Sequence, residues 1–140
     1  MTPKLQASGE VLVVYPHDTA VLEGSEEYAE SMDLEDLKLS GDPTYFVIRP
    51  LSSYEWEEMQ AAMMARAGRL AAKGDEDAFA TSAIRLLYDA FERACVRIIR
   101  PDGEHLDRDQ WRRLPFDVRM FVGRCIKRIS VGDGDDILKL

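Results

Sequence analysis

The chain has 140 residues, 46% hydrophobic and 31% charged, a balance that excludes a disordered polymer and suffices for one core without metal or disulfide support. Its formal net charge of -8 and pI near 4.8 argue against a generic nucleic-acid-binding surface. With no leader-like amino terminus and no apolar run of about 18 residues, it reads as a soluble cytosolic protein with no membrane segment.

The charge is uneven along the chain. Residues 1–60 hold 3 Lys and Arg against 13 Asp and Glu, a balance of -10, whereas residues 61–140 hold 15 against 13, a balance of +2. Such asymmetry predicts two complementary faces, within one molecule or between copies, and makes self-association an expected property.

Taken in chain order, the first element is VLVVYP (Val11–Pro16), β-branched and aromatic and bounded by Gly9 and Pro16. A second strand of the same character, TYFVIRP (Thr44–Pro50), follows the turn signal SGDP. Between them lies LEGSEEYAESMDLEDLKL, strongly acidic, which holds either a short helix or an irregular excursion. Two short strands make only a ribbon and need something to pack against.

The clearest helix begins at LSSYEWEEMQAAMMARAGRLAAKG. Ser52 followed three residues later by Glu55 is a capping-box pattern, with Leu51 and Trp56 at the staple positions, and Gly74 marks the stop. Trp56, Met59, Met63, Ala67 and Leu70 share one stripe at helical spacing. That stripe suits a core; its methionines equally suit an adaptable partner-binding groove.

A second helix follows in DEDAFATSAIRLLYDAFERACVRII, predicted to bury Ala80, Ala83, Ile84, Leu87, Phe91, Ala94 and Ile98. The short connection at Gly74 predicts that the two helices are antiparallel neighbours. The closing CVRII is β-branched enough to be extended. RPDG then turns, and EHLDRDQWRRLP forms a short helical or irregular link.

The last helix, in RRLPFDVRMFVGRCIKRIS, combines six basic residues with large apolar ones. Val118, Phe121, Val122, Cys125 and Ile129 form one stripe with Ile126 beside it, which predicts a packed face. Arg119, Arg124, Lys127 and Arg128 form the opposite, solvated side, a charge-pairing face toward the chain's acidic half or that of a neighbour. The expected fold is therefore α+β and mainly α: about three principal helices with a small N-terminal β element. Residues 1–43 form an acidic β or irregular segment and residues 44–140 a helical core domain, together one compact domain.

No catalytic pattern is evident. His17 beside Asp18 and His105 among acids both suit turns and surfaces. Cys95 and Cys125 lie in apolar helical patterns and read as small buried hydrophobes. Two Cys and two His, widely spaced, make no zinc pattern, and Asp133, Asp135 and Asp136 lack the spacing and terminal Glu of a calcium loop. Phosphate-binding glycine motifs are absent. The expectation is a non-enzymatic protein without metal or cofactor.

Four stretches taken in order, YFVIRPLS, SYEWEEMQ, RPDGEHLDRDQWRRLP and PFDVRMFVGRCIKRIS, resemble the small tail-assembly chaperones of long-tailed phages and related morphogenesis proteins. The likeness covers Thr44–Ser130 and leaves Met1–Asp42 outside it. It implies a holdase of the host cytoplasm that binds apolar surface of a tape measure or tail tube protein, with no catalytic residues. Met59, Met63 and Met64 would then serve partner capture, and Trp56 and Trp111 would be anchors if exposed. Three other readings stand beside it: a structural virion protein at the head–tail junction or inner capsid, a small nucleic-acid-binding module, and an enzyme of unknown class whose histidines converge with acids in a pocket.

Overall fold

The computed structural model describes residues 2–6 and 9–131. Three strands, β1 (Val11–Val14), β2 (Tyr45–Ile48) and β3 (Cys95–Ile99), form an antiparallel sheet in the order β1-β2-β3. Helices α1 (Glu26–Glu30), α2 (Ser53–Ala72), α3 (Ala78–Ala94), α4 (Arg108–Arg112) and α5 (Phe116–Val131) complete the chain order. The fold is thus α+β and mainly helical, with three long helices. CVRII is the third strand, so the ribbon of two becomes a sheet.

Strand alternation sorts the side chains onto two faces. Val13, Phe46, Ile48, Cys95 and Ile98 enter the main core with Trp56, Met59, Met63, Leu86, Phe91, Trp111, Phe121 and Ile126. The other face, Leu12, Val14, Tyr45, Val47 and Ile99, is covered by Val21, Leu34 and Leu37. The acidic excursion is therefore a lid of apolar contacts carrying acids on its outside, with α1 as its one helical turn. Because β1 pairs with β2 throughout, the division drawn at residue 43 runs between two paired strands.

Alternation breaks in β3. Val47 pairs with Arg97 but Ile48 pairs with Cys95, so Val96 is the extra residue of a bulge and is exposed. The bulge turns Cys95 into the core, and Arg97, opposite Val47, keeps the lid side. There its guanidinium donates to the Glu10 carboxylate at 3.2 Å, to the Lys4 carbonyl at 3.1 Å and to Gln6 Oε1 at 3.3 Å. Arg97 and Glu10 side chains are only 11% and 7% exposed, which makes this a buried pair tying the amino-terminal segment to the sheet.

Helix α2 starts as its sequence predicts. Ser52 Oγ accepts from the Glu55 N–H at 3.1 Å, and Glu55 Oε1 accepts from the Ser52 N–H at 3.1 Å. At the other end Gly74 adopts φ +87, with Asp75 N–H bonded to the Leu70 carbonyl and Gly74 N–H to that of Ala71, a Schellman stop. Arg93 at the end of α3 reaches Glu58 near the start of α2 at 2.8 Å, as antiparallel neighbours allow.

Glu55 has a second task. Arg49 meets it in a bidentate pair, both contacts 3.0 Å, and also donates to the Arg93 carbonyl. That guanidinium, helped by the Ser52 N–H, holds the Glu55 carboxyl down at about 2, against an ordinary 4.5. A depressed folded pKa gives stability that is fully present above about pH 4.5 and lost as pH falls toward about 2. With a quarter of the side chain open to water, the effect is about 1 kcal/mol. Urea melts at pH 7 and pH 3 should show a smaller acid loss in Glu55→Gln than in the wild type.

The α3 burial differs from its predicted stripe. Ala78, Ser82, Leu86 and Ala90 are buried at successive i, i+4 steps, with Phe91 and Ala94, whereas Ala80 and Ile84 are exposed and Ala83 and Leu87 half-buried. Helix α3 lies between α2 and α5, so its buried arc is set by where those two neighbours sit, not by its own apolar pattern. Contact with α5 is closest at Gly123, where an added Cβ would stand 2.6 Å from the Leu87 carbonyl oxygen.

Helix α5 buries Met120, Phe121, Val122, Gly123, Cys125 and Ile126, with Val118 and Ile129 half-buried at the margins. Its first intrahelical bond runs from Arg119 N–H to the Pro115 carbonyl. Ser130 Oγ accepts from the Leu51 N–H at 2.8 Å, pinning the end of α5 to the start of α2. In the link, Asp107 and Gln110 form a capping box for α4, and Trp111 is buried against Phe91 under the Arg108 guanidinium.

Candidate association surface

Most residues expected to capture a partner are core residues. Trp56, Met59, Met63 and Trp111 are 9% exposed or less, and Trp111 Nε1 donates to the Leu106 carbonyl. Trp56 and Trp111 do not meet the exposure that an anchor role requires, and the methionine stripe takes the core alternative, packed with the sheet and α3. Met64 alone of the set is open to solvent, at 58%. It is one step round α2 from Met63, on the side away from the core.

Uncovered large apolar side chains are scattered over the described residues, Tyr54, Phe79 and Met64 being the most exposed, but two others share one groove. Ile84 on α3 and Phe116 at the start of α5 are 40% and 47% exposed. They border a groove of about 410 Å³ floored by Leu87, Met120 and Phe121 and closed on the far side by Tyr15, Pro16 and His17. Glu30, Asp117 and Arg124 stand around it. Part of the stripe that the sequence assigned to the core is thus the wall of an open groove.

An aromatic ridge bounds this groove. The Phe116 and Tyr88 rings meet edge to face at 5.9 Å, and the Arg119 guanidinium lies over Tyr88 at 4.7 Å. Beyond the ridge a second cavity, about 580 Å³, is lined by Arg85, Asp89, Glu92, Arg112 and Arg119 with Tyr88. Arg85 and Asp89 are 3.6 Å apart there. An apolar recess and a mixed-charge recess therefore share one aromatic wall.

The basic side of α5 is less uniform than a solvated back. Arg119 is half-buried on Tyr88, Lys127 is half-buried, and Arg124 projects at the groove. Arg128 turns to the acidic half of its own chain and donates to the Glu30 carbonyl at 2.8 Å, at the C-terminal end of α1. Arg124 and Asp117 pair with no charged group among the described residues.

The remaining candidates take structural places. Asp18 accepts from the Ala20 N–H at 2.9 Å and the Thr44 N–H at 3.1 Å, so its carboxylate organises the turn after β1 and is not aimed at His17. His17 packs edge-on against Tyr15 at 5.5 Å, and His105 bridges to Ile99 beside an open cavity of about 450 Å³. Both cysteines are free and buried, and burial pushes each thiol up to about 12. In the acidic lid the Asp36 carboxyl is raised, first by its hydrogen bond to Asp33 and then by that group's charge. Asp133, Asp135 and Asp136 lie outside the described residues.

Among the described residues, no three His, Cys, Asp or Glu side chains are placed to hold a metal ion, and no helix is long and apolar enough to cross a membrane. Comparisons with protein-family models, with curated proteins and with solved structures find no match to this chain.

Sequence reasoning missed Phe116, Tyr88, Asp117 and Tyr15 as parts of a surface. One signal was present: Ile84 and Ala80 widen the apolar arc of α3 beyond what a single neighbour covers.

Proposed function

We propose that this chain works by protein–protein association, burying apolar surface of a partner in the groove between α3 and the first turns of α5. The observation that carries the reading is the pair of large exposed side chains, Ile84 and Phe116, on one open groove with an apolar floor. Rigid helices hold both, so little ordering entropy opposes binding. The sequence resemblance supplies the context: a tail-assembly chaperone keeping an apolar segment of a tape measure or tail tube protein soluble during morphogenesis.

Co-expression with a phage tape measure protein tests this directly. The wild-type chain should increase the soluble yield of that protein, and Ile84→Glu or Phe116→Glu should abolish the gain. Met64→Glu, exposed but on α2 and outside the groove, should not. Equal yields from all three variants would remove the groove from the function.

A further inference from the structure

We propose that the recess beyond the aromatic ridge is a carboxylate site, and that it takes an acidic side chain of the protein whose apolar segment lies in the neighbouring groove. The choice of a protein partner rests on the association reading of that groove, whereas the site stands on its own residues. Arg85, Tyr88, Asp89 and Glu92 fall at i, i+3, i+4 and i+7 on one face of α3, Arg112 ends α4, and Arg119 comes from the first turns of α5. Arg85, Glu92 and Arg112 are exposed and Arg119 is half-buried, so the cavity of about 580 Å³ is open to solvent.

Two guanidiniums in this recess lack an acid. Arg85 is matched to Asp89 at 3.6 Å, but neither Arg112 nor Arg119 pairs with a carboxylate among the described residues. Arg119 lies on the Tyr88 ring at 4.7 Å, which fixes its plane, and its Nε is enclosed with no acceptor. A buried donor without a partner is costly, and a guanidinium stacked through one face still presents its terminal N–H groups edge-on. One carboxylate accepts up to about four hydrogen bonds, enough to draw on both guanidiniums. Charge selects that ligand. Three Arg against Asp89 and Glu92 leave +1, which a single carboxylate neutralises and a phosphate dianion overshoots; the chain's net charge of -8 also opposes a polyanion. Tyr88 and Phe116 form the wall common to recess and groove. A partner helix with an apolar residue at Ile84 therefore reaches over that wall with an acid one turn on, about 5.4 Å along its axis.

Nuclear magnetic resonance titration of the isotope-labelled full chain tests the site with hydrocinnamate, the matching hydrocinnamide and inorganic phosphate at constant ionic strength. Hydrocinnamate should shift the Arg119 Nε–H and the Tyr88 and Arg112 amides with a millimolar Kd, and hydrocinnamide should bind about tenfold more weakly. Arg112→Gln and Arg119→Gln, each confirmed as folded by circular dichroism melts, should weaken hydrocinnamate by about tenfold and leave hydrocinnamide unchanged, a split that lost packing does not produce. No response to hydrocinnamate, or equal responses to acid and amide, overturns the proposal. So do variants that bind like the wild type, or phosphate that binds more tightly than hydrocinnamate. In co-expression, Arg112→Gln should lower the soluble yield of the tape measure protein; an unchanged yield removes the partner's acid from the recess. The probe is small enough to bind without the groove, so Ile84→Glu should leave its titration unchanged, and failure of the groove reading and failure of the carboxylate site give different results.

Discussion

Glu10→Ala is expected to destabilise the protein by about 3 kcal/mol, well beyond an ordinary surface substitution. Arg97, opposite Val47, lies on the lid side of β3, where its side chain is 11% exposed. Without Glu10 the guanidinium keeps the Lys4 carbonyl and Gln6 Oε1 but loses its counter-charge in a poorly solvated place. The Gln6 N–H, which donates to Glu10 at 2.9 Å, loses its acceptor as well. Glu10→Gln keeps an acceptor for both donors and should cost about 1–2 kcal/mol. Removing both charges, Glu10→Leu with Arg97→Met, should recover most of the stability, because the cost lies in the uncompensated charge and not in the pair's net worth. Urea midpoints of the wild type and the three variants at unchanged slope measure this. Equal losses in the Glu10→Ala and double variants would show that packing, not charge, holds the segment.

Gly123→Ala should also destabilise, by about 1–3 kcal/mol, even though alanine is the better helix former by about 1 kcal/mol. The new methyl has no room. It would stand 2.6 Å from the Leu87 carbonyl oxygen and 3.2 Å from the Leu87 carbonyl carbon and Cβ. The closest of these are backbone atoms in the middle of a long helix, so relief requires α3 and α5 to move apart and loosens Phe91, Phe121 and Ile126 together. Gly68→Ala is the matched control. It lies exposed in α2 with no atom within 4 Å of an added Cβ, and it should gain up to about 1 kcal/mol. Thermal melts of opposite sign in the two variants are the expected result. The same displacement would disturb the α3–α5 groove, since Leu87 lines it.

These two predictions rest on features of different legibility. The amino-acid sequence by itself determined what depends on neighbours along the chain. The capping box at Ser52 and Glu55 and the glycine stop at Gly74 were readable because their partners lie within a few residues. The strand character of VLVV, YFVI and CVRII was readable because branched and aromatic side chains suit a pleated surface. The buried stripe of α2 and most of that of α5 followed from periodicity, since each presents essentially one side to the rest of the molecule.

Only the tertiary structure decided what depends on more than one neighbour. Helix α3 has contacts on two sides, so its own pattern misplaced Ile84, and only the width of its apolar arc pointed to the open groove. The partner of Arg97 is 87 residues away, and the bulge at Val96 that puts Cys95 in the core leaves no local mark. The basic residues of α5 read alike in sequence yet diverge in place: Arg119 on Tyr88, Arg128 on the end of α1, Arg124 at the groove. Periodicity reports which side chains are apolar, whereas which apolar side chains stay uncovered is a property of how many elements arrive to cover them.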